Sequence, residues 1–227
     1  MINTIAVMGC GWLGLPLAKS LLEDGCQVHG STTTQDKRND LTKLGIVPFL
    51  ISLTEEKIIG DIAGFLADTE LIVINVPPKL RGGNKENYVN KMQLLHTAIK
   101  ASSVQKILFV SSTSVYGDID GEVTEETIPC PSTESGKQLL ASENLFRDDA
   151  KLQTTIIRFG GLIGPDRHPI TILSGRKGLT NGNDVINLIH LEDCIGIIKA
   201  TIQNDWWDEL FNGVYPYHPS KQEYYSK

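Results

Sequence analysis

A doubly wound parallel α/β sheet is what this sequence predicts, on three observations. Short apolar, β-branched runs alternate with segments of helical apolar spacing along most of the chain, the pattern of parallel strands joined by crossover helices. The first run, Ile5–Val7, leads directly into Gly9, Gly11 and Gly14 and then into a helix with Leu17, Ala18 and Leu21 on one side. Two later runs stop abruptly, Leu71–Val76 at Pro77 and Pro78 and Lys106–Val110 at a hydroxyl cluster, at the strand ends where parallel sheets present ligands.

Bulk properties narrow the class. A chain of 227 residues with 41% hydrophobic content buries one sizeable core and has room for a small second lobe. The net charge of −6 and pI near 5.4 argue against a general nucleic-acid surface. Cys10, Cys26, Cys130 and Cys194 stand far apart without metal-ligand spacing, so neither a zinc site nor a disulfide framework is expected. The first residues resemble neither a signal peptide nor a membrane span, and a cytoplasmic protein without a membrane partner is the expectation.

The glycine turn has the GxGxxG spacing of a dinucleotide cradle in a Rossmann-like sheet. Gly9 allows the tight turn, Gly11 lets a pyrophosphate approach the backbone, and Gly14 lets helix and strand pack closely. The helix N-terminus, opening at Trp12 and Leu13, offers unpaired N–H groups and a positive dipole end to the phosphates. The second strand is expected at Cys26–Gly30. No Asp or Glu stands at its end, where an acid would bind a free ribose 2′-hydroxyl; Thr32 and Thr33 are there instead, with Lys37 and Arg38 just beyond. That tilts the cofactor from NAD towards NADP. The two cations read equally as a solvated helix start, and Asp36 reaches the ribose if the loop folds back.

Leu41–Gly45 reads as the end of a short helix and Val47–Leu53 as the third strand, with Ser52 and Leu53 at the adenine edge. Glu55–Leu66 has helical spacing. The fourth strand, Leu71–Val76, is central, which sets Asn75, Val76 and Pro77 beside the inner ribose or pyrophosphate. Lys79–Asn87 is a polar loop over the site and Tyr88–Ser102 a helix. Ser111 closes the fifth strand, Lys106–Val110, beside the cofactor.

Four motifs in order carry a family resemblance: GxGxxG, SSTSVYG at Ser111–Gly117, IIRFGGLIGP at Ile156–Pro165, and IHLED at Ile189–Asp193. Together they resemble the extended short-chain dehydrogenase/reductase superfamily, the NAD-dependent epimerase/dehydratases. GCGWLGLPLA, PSTESGKQLL and GPDRHP are similar to its YeeZ-like branch. The resemblance implies that Ser112 binds the substrate carbonyl or alcohol and that Lys137 matches the family lysine that binds the nicotinamide ribose. The family's acid/base tyrosine would stand four residues earlier, where this chain has Thr133, whose hydroxyl is far too weak an acid for the task. Tyr116 is the nearest phenol, and Glu134 or Ser135 are further candidates; the other reading of Lys137 is a solvent-facing helix lysine.

The helix continues over Gln138–Asp149 with Ser142 and Glu143 on its polar side, and Thr154–Arg158 is the sixth strand. The Gly- and Pro-rich FGGLIGPDRHP is read as an irregular loop, which the resemblance places at the substrate. On it Arg167 and His168 are candidate ligands for a phosphate, carboxylate or sugar oxygen. Arg158 is read first as the partner of a carboxylate, His190 first as structural, and Asp193 as the N-cap of a helix through Ala200. The expectation is one NAD(P)-binding domain over residues 1–227, with substrate-lobe elements at about 159–190 and 204–227. Family members run several tens of residues further, so the lobe is expected to be incomplete, leaving Trp206 and Trp207 uncovered and favouring a homodimer. The function expected is NAD(P)-dependent epimerase/dehydratase or reductase chemistry on a small-molecule substrate such as a sugar nucleotide. A cofactor-binding sensor without turnover is the alternative, and a scaffold without cofactor a third.

Overall fold

The computed structural model describes residues 2–78, 80, 86–169 and 181–226. β1 (Thr4–Met8) is buried along its whole length. Its alternate residues feed opposite layers: Ile5 and Val7 join one core cluster, Ala6 and Met8 the other. The same division runs through β6 (Leu71–Ile74), β7 (Lys106–Ser112) and β8 (Gln153–Phe159), with Val73, Leu108 and Ile157 on one side and Ile72, Phe109 and Ile156 on the other. Strands apolar on both faces are stable only between two helical layers. With β2 (Gln27–Thr32), β3 (Val47–Leu50) and β11 (Leu210–Gly213) they form a seven-stranded sheet, ordered β11-β8-β7-β6-β1-β2-β3, in which every neighbouring pair is parallel. The chain winds outward from β1 to β3, then crosses back to β6. This reversal opens the crevice at the carboxyl ends of β1 and β6.

One layer holds α1 (Gly14–Glu23) and α6 (Leu191–Gln203), which bury Leu17, Ala18 and Leu21 against Cys194 and Ile198. The other holds α3 (Ile62–Leu66), α4 (Tyr88–Lys100) and α5 (Glu134–Arg147), with Phe65, Met92, Leu95, Leu139 and Phe146 inside. Full burial of each large apolar side chain contributes about 1.5–3 kcal/mol. Among the described residues no helix is long and apolar enough to cross a membrane.

Several expectations need correction. The run Val47–Leu53 does not stay in the sheet: β3 ends at Leu50, and β4 (Ser52–Leu53) turns to pair antiparallel with β5 (Ile58–Ile59). The helical spacing over Glu55–Leu66 therefore yields helix only in α3; Gly60 at φ +112, where a Cβ would lie 2.1 Å from Leu50 O, prevents it from starting earlier. α2 spans Gln35–Lys43 and includes Lys37 and Arg38. The loop after β8 is partly regular, since β9 (Gly161–Ile163) pairs parallel with β10 (Leu188–His190). Glu143, assigned to a polar helix face, is 0% exposed. Trp207 is buried, with Lys106 Nζ 4.9 Å from its ring centroid, so only Trp206 stays exposed. α6 is capped by His190, whose Nδ1 accepts from Glu192 N–H, and Asp193 lies in the first turn, not at the cap. Most of the expected loop at 79–87 lies outside the described residues.

Candidate functional site

The glycine loop is built for close approach. Gly9 has φ +100, a left-handed conformation that excludes side chains, and a Cβ there would stand 2.7 Å from Asn75 O. A Cβ at Gly14 would fall 2.1 Å from Gly9 O, so the first turn of α1 lies directly on the loop. Gly11 differs: a Cβ there would meet nothing within 4 Å. It borders the crevice, and only a side chain at this position would fill the space above the loop. Neighbouring strand ends hold the loop in place. Asn75 Nδ2 donates to Gly9 O at 3.2 Å, and Gly9 N–H donates to Ser31 Oγ at 2.8 Å. Among the described residues nothing accepts from the backbone N–H groups of Trp12 and Leu13. The bare N–H groups, the helix dipole behind them and the space above Gly11 fit the diphosphate of a dinucleotide.

On one side of the loop a cavity of about 350 Å³ takes in Thr32, Thr33, Lys37, Ser52 and Leu53, together with Asn75–Pro77. Arg38 and Asp36 do not line it. Its carboxylate, Glu86, pairs with Lys91 Nζ at 2.7 Å. On the other side a cleft of about 1190 Å³ runs from Gly11, Trp12 and Leu13 past Asn75, Val76 and Pro77 to Ser111, Ser112 and Tyr116. It continues to Ser135, Arg167 and Asn212.

A buried polar network lies beneath the cleft floor. Ser111 hydroxyl donates to Glu143, which also accepts from Arg158 Nε at 3.1 and 3.2 Å and from Nη2 at 2.6 Å. Arg158 is 2% exposed, and among the described residues its Nη1 has no hydrogen-bond partner. Burial works against its charge, but the hydrogen bond and charge of Glu143 outweigh it and hold the pKa above the ordinary value. The guanidinium lies 4.8 Å from the Tyr116 ring centroid, and Tyr116 OH donates to Asn212 Oδ1 at 3.0 Å. Arg158 is thus the carboxylate partner that the sequence favoured.

The structure separates the other candidates. Ser112 Oγ accepts from Ser114 N–H at 3.2 Å, which leaves its own hydrogen for the cleft. Thr133 hydroxyl caps α5 by accepting from Gly136 N–H at 3.1 Å. Lys137 is exposed and lines neither cavity; the residues of α5 that line the cleft at i, i+4 spacing are Ser135 and Leu139. Arg167 lines the cleft, whereas His168 stacks on Tyr224 with ring centroids 6.2 Å apart and does not. Of the two further acid/base candidates, Ser135 lines the cleft and Glu134 does not; Asn212 was missed in the sequence and carries no local signal, because it meets Tyr116 only through the pairing of β11 with β8.

Sheet order, glycine loop and crevice together define a dinucleotide-binding α/β protein. Residues 9–188 match the family model described as NAD(P)H-binding. The chain is 37% identical over 225 residues to Protein YeeZ of Escherichia coli (strain K12), covering 99% of this chain and 82% of that one. It is 25% identical over 222 residues to an "Uncharacterized UDP-glucose epimerase YtcB" of Bacillus subtilis, covering 85% of this chain and 70% of that one. Its fold matches UDP-glucuronic acid 4-epimerase from Bacillus cereus, solved with UDP-glucuronic acid and NAD, with a TM-score of 0.80 at 20% identity over 96% of this chain and 79% of that one. The chain belongs to the NAD(P)H-binding family, in which Protein YeeZ is its relative at 37% identity.

Proposed function

We propose that the chain is an NAD(P)-dependent oxidoreductase of the epimerase/dehydratase type, acting on a sugar nucleotide or a similar polar carbonyl or alcohol. The observation that carries this reading is continuity: the bare N–H groups of the glycine loop and the hydroxyls of Ser112 and Tyr116 line one cleft. A bound nicotinamide supplies the hydride acceptor or donor. Ser112 donates its free hydroxyl hydrogen to the substrate oxygen and orients it. Tyr116 moves the proton of that oxygen, its ring held between Arg158 and Asn212. Lys137, exposed on α5, is left out of this arrangement. NADP is preferred over NAD; Lys37 in the adenosine cavity supports this, as does the engagement of Glu86 with Lys91. The relative solved with UDP-glucuronic acid supports a sugar nucleotide as substrate. Trp206, 47% exposed, is the surface on which a homodimer would close.

Ser135 and Leu139 favour a second reading, because the face of α5 that lines the cleft carries neither phenol nor ammonium. In that reading the protein binds the cofactor and senses it without turnover. Titration with NADPH and NADH, followed by cofactor fluorescence, tests binding and preference. A screen of UDP-sugars then compares wild type with Ser112→Ala and Tyr116→Phe, each expected to lose about 10²–10⁴ in rate. Binding without turnover on any UDP-sugar selects the sensor, and turnover indifferent to both substitutions refutes the assignment of Ser112 and Tyr116.

A further inference from the structure

We propose that Arg167, held against Trp12, is a clasp that closes over the cofactor's diphosphate from beside the glycine loop. This rests on the dinucleotide reading above and adds to it a contact that the loop cannot make. Arg167 ends a tight turn: Gly164 N–H donates to Arg167 O at 3.1 Å and Arg167 N–H to Gly164 O at 3.0 Å, with Asp166 at φ +58. Pro165 pre-sets the turn at its second position. Trp12 pins that turn to the glycine loop, because its Nε1–H donates to Pro165 O at 3.1 Å. Only glycine allows this approach at position 164, where φ is +157 and a Cβ would lie 3.0 Å from Leu191 Cβ and 3.1 Å from the Trp12 ring.

The guanidinium carbon of Arg167 stands 5.0 Å from the Trp12 ring centroid. Among the described residues no carboxylate pairs with it and no acceptor takes its N–H groups, although Asp166 is its neighbour in sequence. An arginine stacked on an indole keeps its charge and its planar fork of donors, and it loses little further side-chain freedom when an anion arrives. The residue that stacks it is also the one whose backbone N–H faces the anion space. Trp12 therefore sets both halves of the site, the neutral donors of the loop and the cation stacked beside them, and together they suit the double charge of a diphosphate. A substrate diphosphate has the same chemistry but would sit farther along the cleft, towards Ser112 and Tyr116.

Affinities for ADP-ribose, adenosine and UDP-glucose, measured calorimetrically on the full chain, test the clasp. Arg167→Ala is expected to weaken ADP-ribose about ten- to hundredfold and to leave adenosine unchanged. Arg167→Lys should restore part of the loss, because it keeps the charge without the fork. Trp12→Leu keeps Arg167 but removes its support, and should weaken ADP-ribose while adenosine still binds as in wild type. ADP-ribose affinity within twofold of wild type in Arg167→Ala overturns the clasp, and so does a loss confined to UDP-glucose. If wild type binds no ADP-ribose, the dinucleotide reading falls as well; equal binding by wild type and variant removes the clasp alone.

Discussion

Replacing Glu143 by Leu strips Arg158 of its carboxylate contacts at 3.1, 3.2 and 2.6 Å, at a site where the arginine is 2% exposed and the glutamate 0%. Water cannot stand in for the lost acceptor, and a guanidinium cannot escape by losing its proton. Breaking such a pair costs about 3–5 kcal/mol. With both groups closed to solvent, the upper part of that range, about 4–5 kcal/mol, is expected. In a chain of this size that lowers the melting temperature by about 8–20 °C. Arg158→Met alone leaves a buried carboxylate with only Ser111 as donor and should cost a similar amount. Glu143→Leu/Arg158→Met removes both charges and should lie within about 2 kcal/mol of wild type. Urea denaturation of the four proteins measures the coupling. A double variant whose loss equals the sum of the single losses would refute the pair as one unit. Ser111 loses its acceptor in the double variant too, so cofactor affinity should fall even where stability recovers.

Further outcomes follow from the glycine loop, the thiols and a surface carboxylate. Gly11→Ala should keep the melting temperature and weaken NADPH binding, since its Cβ meets nothing within 4 Å, whereas Gly14→Ala should lose both, with its Cβ 2.1 Å from Gly9 O; thermal melting beside cofactor titration separates them. Burial pushes the Cys10 and Cys194 thiols up to about 12, so iodoacetamide on the native protein should label exposed Cys130 first, as peptide mass mapping would show. Asp149 is held below the usual carboxylate range by its hydrogen bond from Lys100 and then by Lys151 N–H. A carboxylate depressed in the fold stabilises above its unfolded value near 4 and loses that contribution as pH falls through the folded value. The stability difference between wild type and Asp149→Asn should therefore close below about pH 4.

The parts of the fold legible in the sequence are those where both faces of a strand are buried. Ile5–Val7 and Leu71–Ile74 have no polar residue to alternate with, and such runs fit only a central parallel strand. β11 escaped because its four residues, LFNG, are mostly half-buried at the sheet edge and form no apolar run. The helical spacing of Ile58, Ile62 and Phe65 was real but misleading, because Gly60 interrupts it. At the site, the glycine loop could be read from spacing alone, since each glycine answers a local steric demand. The register of α5 could not be settled from one four-residue pair. Thr133 and Lys137 share one helical stripe; Ser135, Leu139 and Glu143 share the stripe that lines the cleft and core. A glutamate in line with apolar Leu139 and Phe146 was the available signal, and its partner Arg158 could be paired with it only in three dimensions.

The bond between Tyr116 and Asn212 spans 96 residues of chain. At about 5–20 residues per second, the ribosome releases the asparagine roughly 5–20 s after the tyrosine. The glycine loop and the first five strands of the sheet emerge well before then, so a nascent chain can form the cradle while the phenol still lacks the partner that orients it. A dinucleotide present during synthesis would therefore meet the holding half of the site before the reacting half exists, and could act as a ligand for folding before it acts in any reaction.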